Sequence, residues 1–487
     1  MLARLEQRAA LLSSEDLKRA KHVLMVLPRA GTLDTLGGVP AVEALSAALS
    51  RRTKKLAELV QSPLATDLAH GALLSWVMVD PARSVFERQT ALRKGLQLLL
   101  AEKPEDITIA VFGPATARRR AAELAVYCAW VNGARLPERK KEPARALRAI
   151  RLHGHAAANA FADRRAVAAG NLLARELTVL PPNELTPASY RKRVREIARE
   201  RGWRHEEYDV KRLRKLGAGA FVAVAQGSAD ADAAIVHLAY RHPRAKKSFA
   251  LVGKGICFDT GGHNLKTARS MQGMYKDMNG SAVALGILLA AAEMKLPARL
   301  DCWMAIARND IGPRAYLQSE VVTALNGTSI EIVHTDAEGR MVLADALTLA
   351  ARAKPGLVVD FATLTGSMHV AVGERYSGVF ATSEALARAA LTAADASGER
   401  VCVFPQDEDY DEELESAIAD IKQCTLEGGG DHILATRFLK RFVGEAPWLH
   451  MDLSAAKCKG GLGAVASEIN GFGVAWGVEF LKAQLGR

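Results

Sequence analysis

Three segments concentrate the side chains that could do chemistry. VGKGICFDTGGHNLK (252–266) places Lys254, Asp259 and Lys266 around a strand exit and a Gly261-Gly262 turn. MYKDMNGSAVALG (274–286) sets Asp277 just before an apolar stretch led by Gly280. HTDAEGRMVLADAL (334–347) carries Asp336 and Glu338 two positions apart, after the apolar run SIEIV, and its Gly339-Arg340 step opens the next helical stretch. If the backbone is still extended there, carboxylates at i and i+2 share a face. Asp259, Asp277, Asp336 and Glu338 are then four anions, and like charges brought to one place either take up protons or push the place apart. Two divalent cations, +4 against −4, resolve that conflict. Oxygen-rich ligation suits Zn²⁺, Mn²⁺ or Mg²⁺ rather than a thiolate-selected metal. Cys257, two residues before Asp259, reads as a buried small hydrophobe rather than a ligand. Each piece alone has a plainer reading: Asp after a strand as turn former or helix cap, DAEGR as a surface turn. The three together argue for a metal centre.

These residues need elements to hold them. In the 487-residue chain, strand-like runs occur at 221–228, 233–240, 248–255, 299–307, 329–336 and 356–366. Helical stretches intervene at 280–295, 341–354 and 383–397. Several runs are apolar on both faces, which fits a buried, mostly parallel sheet whose ligands sit beyond the carboxyl ends of its strands. Upstream, 22–28, 73–80 and 107–113 read as strands, and 84–102 and 117–134 as helices, a second α/β layer. The basic stretch LPERKKEPARALRAIRLHGH (136–155) reads as a connector, followed by a helix over 157–177 that ends at Pro181-Pro182-Asn183. The expected fold is therefore α/β in two domains: a smaller N-terminal one over 1–145, a linker and connecting helix over 146–176, and a larger one over 177–487 with a central mostly parallel sheet flanked by helices.

Composition narrows the class. Hydrophobic residues make up 49% and charged residues 24%, an ordinary globular balance. The longest apolar stretch, Ala282 to Ala292, is well short of the roughly 18 residues a membrane span needs. Charge is scattered through the first residues, so no secretion signal is expected. Six scattered cysteines with no CxxC pair fit free thiols in a reducing, cytoplasmic setting. Net charge is +11, and the first 150 residues hold 24 Lys and Arg against 15 Asp and Glu, nine of those eleven charges. A basic N-terminal third keeps nucleic-acid binding open as a second function, against a solvated basic surface without interleaved aromatics.

On these motifs the sequence resembles the leucine aminopeptidase (cytosol aminopeptidase) family of dinuclear metallopeptidases. The family's NTDAEGR stands here as HTDAEGR, its VGKGxxFDSGGxxxK as VGKGICFDTGGHNLK and its MKxDMxGAA as MYKDMNGSA. ARELTVLPPNELTP (174–187) and DFATLTG (360–366) match two further family motifs. The resemblance covers roughly 174–487. It implies one metal site from Lys254, Asp259, Asp277 and Glu338 and another from Asp259, Asp336 and Glu338. It implies Lys266 as catalytic lysine and Arg340 as catalytic arginine holding a bicarbonate. Met274, Thr363 and Gly366 would line the pocket for the N-terminal side chain. It further implies removal of N-terminal residues from short peptides by a hydroxide activated between two Mn²⁺ or Zn²⁺ ions, in a homohexamer. A dinuclear phosphoesterase is disfavoured by the lysine ligand and the lack of histidine-rich ligation.

Departures from the family pattern are His334 in place of Asn, YLQSE (316–320) where a turn usually carries Arg-Pro-Gly-Asp, and Tyr275-Lys276 before Asp277. LHMDLSAAKCKGGLGA (449–464) is a further variant, expected to touch the pocket wall, and His263 is a loop residue near the site. Should the N-terminal third serve nucleic acid, the intact chain retards duplex DNA in a mobility-shift assay at low salt and releases it as salt rises; no shift at low salt dismisses that function.

Overall fold

Val23–Leu27, Leu74–Val79 and Ile107–Val111 are mostly apolar runs buried on both faces, and each pairs in parallel with a neighbouring strand. The computed structural model describes residues 1–142 and 144–486. The chain forms two compact units, Met1–Leu172 with Asp395–Glu399 and Cys458–Asn470, and Leu173–Ala394 with Arg400–Lys457 and Gly471–Arg487.

In the first unit, Arg4–Arg8 (β1), His22–Pro28 (β2), Leu64–Asp67 (β3), Leu73–Val79 (β4), Asp106–Val111 (β5) and Ala149–His153 (β6) form one sheet, ordered β1-β6-β5-β2-β4-β3. All pairs are parallel except β3 with β4. The helices expected at 84–102 and 117–134 are Val85–Leu100, begun by a Ser84/Glu87 capping box, and Ala115–Gly133. The stretch read as linker holds β6, paired on both sides, and the helix Ala162–Thr178. Its basic residues hid the strand: Arg151 reaches Asp106 at 2.8 Å, while Ile150 and Leu152 are buried.

The second unit contains Arg204–Asp209 (β7), Ala234–Arg241 (β8), Lys247–Asp259 (β9), Ala298–Asn309 (β10), Val321–Thr323 (β11), Ser329–Glu331 (β12), Leu357–Ala362 (β13), Ser377–Ala381 (β14), Val401–Val403 (β15), Ile421–Lys422 (β16) and Trp448–Asp452 (β17). Eight of these form a sheet ordered β15-β14-β17-β13-β9-β10-β8-β7, and β11-β12-β16 form a small second one. The inner four, β17, β13, β9 and β10, are mutually parallel, so the α/β class with a parallel centre holds. Antiparallel pairing enters towards the margins, at β14 with β17, β8 with β10 and β7 with β8. Ala250, Val252 and Ile256 of β9 share a core with Met341 and Val342 of the helix Glu338–Arg352. The helix Asn279–Glu293 is buried along nearly its whole length. A second helix and a second parallel strand thus brace the strand that carries two of the candidate ligands.

Two expectations fail locally. FVAVAQGS (221–228) is not a strand: Gly219–Ala225 is a helix, buried all round. A short run that is apolar at every position carries no period to separate strand from helix. The strand expected over 329–336 stops at Glu331, and Glu338 begins a helix.

The DFATLTG aspartate has a structural partner set inside the sheet. Asp360, fully buried on β13, accepts from Trp448 Nε1 at 2.6 Å and pairs with His450 Nδ1 at 2.7 Å, both across on β17. Burial opposes the charge on His450, and Asp360 outweighs it, holding the imidazole above its usual pKa. Asp360→Ala leaves the buried Trp448 N–H and the buried His450 imidazole without their partner, so it should cost about 3–5 kcal/mol. The readout is a lower urea midpoint at unchanged m-value; a midpoint equal to the wild type contradicts it.

Candidate metal centre

The site forms where the inner strands end. β9 ends on Asp259, and a register shift after Ala307 places Asn309, the last residue of β10, beside it. β13 runs out into Thr363, Asp277 follows the short turn Met274–Lys276, and Glu338 is the first residue of its helix.

Side chains from all of these meet. Lys254 Nζ lies 2.7 Å from Asp277 Oδ2 and 2.9 Å from Glu338 Oε1, and donates to Thr363 O at 3.2 Å. Lys266 Nζ lies 2.9 Å from Asp259 Oδ2 and also pairs with Asp336 Oδ1. Asp259 Oδ1 accepts from Gly261 N at 2.8 Å and from Asn309 Nδ2 at 2.9 Å. Thr363 Oγ1 donates to Asp277 Oδ1 at 2.7 Å. One oxygen each of Asp259, Asp336 and Glu338 lie within 4.8 Å of one another. Asp336 and Glu338 converge across a bend and a helix start, not along a strand.

Two glycines are sterically required. A Cβ on Gly339 would lie 2.6 Å from Lys254 Nζ. Gly261, at φ +88°, would bring one within 2.5 Å of Asn264 O and 3.0 Å of Asp336 Oδ1.

The electrostatics are those of a cation site. Burial, together with Asp259, pushes Glu338 up to about 8 although Lys254 opposes the shift. Burial likewise raises Asp277 to about 6 against Lys254, and it raises Asp336 with help from Asp259. Burial disfavours both ammonium groups, yet the surrounding carboxylates outweigh it and hold Lys254 and Lys266 above the usual lysine range. Asp277 Oδ2, Asp336 Oδ1 and Glu338 Oε1 are buried without a hydrogen bond, although a lysine Nζ stands within ion-pair distance of each. Buried carboxylate oxygens with unused lone pairs, in a set of oxygens with one amine, suit divalent cations.

The other expected residues divide. Thr363 touches the cluster. Met274 is half-buried in the turn before Asp277 and meets the cluster through its backbone oxygen, which accepts from Asp277 N at 3.2 Å; Gly366 is the exposed first residue of the helix Gly366–Val372. Arg340, also buried, turns to Asp431 and Gln423 O instead. That does not fit a bicarbonate on the guanidinium, since a carboxylate already sits there.

The departures from the family pattern become intelligible. His334 Nδ1 accepts from Asp336 N at 3.2 Å, a local bond of the kind Asn makes. Tyr316, which opens YLQSE, is buried and donates to Thr335 O at 2.8 Å, bracing the loop before Asp336. His263 is exposed. The 449–464 segment is divided: Cys458 onward belongs to the first unit, where Arg93 Nη1 donates to Gly460 O.

Sequence reasoning passed over Asn309, Thr335 and Asp431. Thr335 Oγ1 donates to Gly261 O at 2.6 Å and Asn309 Nδ2 to Thr335 O at 3.0 Å, tying the two ligand loops together. Asn309 had a signal, a polar residue closing an apolar strand. Asp431 had none, standing 91 residues from Arg340 after a glycine run.

An α/β sheet with a carboxylate and lysine cluster at its parallel strand ends is thus the class of protein in hand. Residues 172–477 match the cytosol aminopeptidase family, catalytic domain. The chain is 39% identical over 328 residues to a probable cytosol aminopeptidase of Bradyrhizobium sp. (strain BTAi1), covering 67% of this chain and 64% of that protein. It is 43% identical over 326 residues to one of Acidovorax sp. (strain JS42), covering 66% and 65%. The matches therefore span slightly less than two thirds of these relatives' length. Among solved structures, the bottromycin maturation enzyme BotP in complex with Mn is 31% identical, with a TM-score of 0.81 over 96% of this chain and 99% of that one. A tomato leucine aminopeptidase mutant is 25% identical, with a TM-score of 0.86 over 98% and 96%. The chain belongs to the cytosol aminopeptidase family.

Burial and the neighbouring Asp259 bias Glu338 towards its protonated form in the metal-free chain, pushing it up to about 8. A cation that takes its place beside the carboxylate must displace that proton. Calorimetric titration with Mn²⁺ in two buffers of different ionisation heat should show proton release at pH 7 that shrinks by pH 9. An acid whose folded pKa is raised lends stability at low pH and loses it as pH rises, for Glu338 from 4.5 through about 8. Lys254, raised from 10.5, lends a constant amount across that window. The melting temperature of metal-free protein should carry a falling contribution from Glu338 over that range, and Mn²⁺ should reverse it. Metal binding without proton release at pH 7 contradicts this.

Proposed function

We propose that this chain is a metal-dependent aminopeptidase that removes N-terminal residues from short peptides. The observation that carries the proposal is the buried cluster of Asp259, Asp277, Asp336 and Glu338 around Lys254 and Lys266, in a chain of this family. Lys254, Asp259, Asp277 and Glu338 would hold one divalent ion, and Asp259, Asp336 and Glu338 another, Mn²⁺ or Zn²⁺. Such ions supply Lewis acidity and make a water acidic enough to yield a nucleophile near neutral pH.

The chain's own groups do the rest. Lys266, kept cationic between Asp259 and Asp336, would donate to the oxygen that gains charge as the scissile carbonyl is attacked. Lys254 serves as a ligand only after losing its proton, which its carboxylate neighbours hold in place until cations neutralise them. A peptide's free α-amine would be taken up at one of the ions these residues hold, which would restrict the cut to the first residue. Thr363 orients Asp277, and with Met274 and Gly366 would border the first side chain.

The resemblance extends the proposal to a homohexamer and to the cytoplasm, and six free cysteines agree with the latter. Nucleic-acid binding gains no comparable support, and rests on the basic charge of the first 150 residues alone.

Aminoacyl-p-nitroanilides test the reading. Turnover should vanish with a chelator and return with Mn²⁺ or Zn²⁺. Asp336→Ala and Glu338→Ala should each lower kcat/KM by more than about a hundredfold at an unchanged circular dichroism spectrum. Folded variants with full turnover show that the ligands are wrongly assigned.

A further inference from the structure

Arg340 Nη2 donates to both oxygens of Asp431, at 2.7 and 2.9 Å, and Nη1 donates to Gln423 O at 3.0 Å. The guanidinium is almost sealed from solvent, at 3% exposure, so its charge is met from within the chain. Asp431 is the first residue of the helix Asp431–Lys440, set by Gly430 in the left-handed region at φ 62°. The family resemblance instead assigns this arginine an external bicarbonate. A second anion here would have to displace Asp431 or share one guanidinium with it, and the two negative charges repel.

We propose that Asp431 takes the place of that external anion. A carboxylate has the charge and the paired oxygens of bicarbonate, and here the fold tethers it at contact, so no anion concentration is needed to fill the position. Asp431 is a positioning residue: it neutralises and aims Arg340, two residues beyond Glu338. The inference rests on the aminopeptidase reading and adds that this enzyme works without bicarbonate.

The test uses the full chain loaded with Mn²⁺, a hydrolysed aminoacyl-p-nitroanilide, and carbonate-free buffer with or without millimolar bicarbonate. Wild-type kcat/KM should be the same in both. Asp431→Ala should lose about tenfold or more without bicarbonate and regain much of it, saturably, when bicarbonate is added. In a metal-free thermal shift, bicarbonate should stabilise Asp431→Ala and leave the wild type unmoved. Asp431→Asn, which keeps the side chain's size and removes its charge, carries the same assay if the alanine variant does not fold.

Wild-type turnover that climbs severalfold with bicarbonate overturns the inference and leaves the aminopeptidase reading intact. So does an alanine variant with undiminished activity, or one whose loss bicarbonate does not restore. No wild-type turnover in either buffer overturns the reading itself, while the thermal shift still decides whether Asp431 or bicarbonate occupies Arg340.

Discussion

Bringing four carboxylates into one buried cluster is electrostatically costly, and much of the second unit is arranged to meet that cost. Two lysines stand among the acids, at 2.7 to 2.9 Å from Asp277, Glu338 and Asp259. Even so, burial and Asp259 push Glu338 up to about 8, and three buried oxygens of the cluster have no hydrogen bond. A cluster that its own cations leave incompletely satisfied is one that multivalent cations can complete.

Rigid elements hold this costly arrangement in place. The acids come from the end of an inner strand, a turn before a buried helix, a loop and the first residue of another buried helix. Behind them, Asp360 ties β13 to β17 through Trp448 and His450, and Asn309 and Thr335 bond the two ligand loops to each other. Groups that repel can be kept together only by a frame whose own bonds are stronger than the repulsion, and here that frame is the parallel centre of the sheet.

The acidic cluster was legible in sequence because motif, strand exit and charge agreed: Asp259 and Asp336 each follow an apolar run, and Gly261 and Gly339 stand where a Cβ would strike a neighbour. The α/β class was legible for the same reason. The strand Ala149–His153 was hidden by arginines that pair at its surface, and the helix Gly219–Ala225 by a run apolar at every position. The partner of Arg340 was illegible because the pair joins residues 91 positions apart, and no local pattern announces a contact made only by tertiary folding.

A crystal grown with excess Mn²⁺ and measured at the manganese absorption edge examines the cluster most directly. The anomalous difference map should show two peaks, one among Lys254, Asp259, Asp277 and Glu338 and one among Asp259, Asp336 and Glu338. A map with no peak there, and both lysines still bound to the carboxylates, would contradict the account.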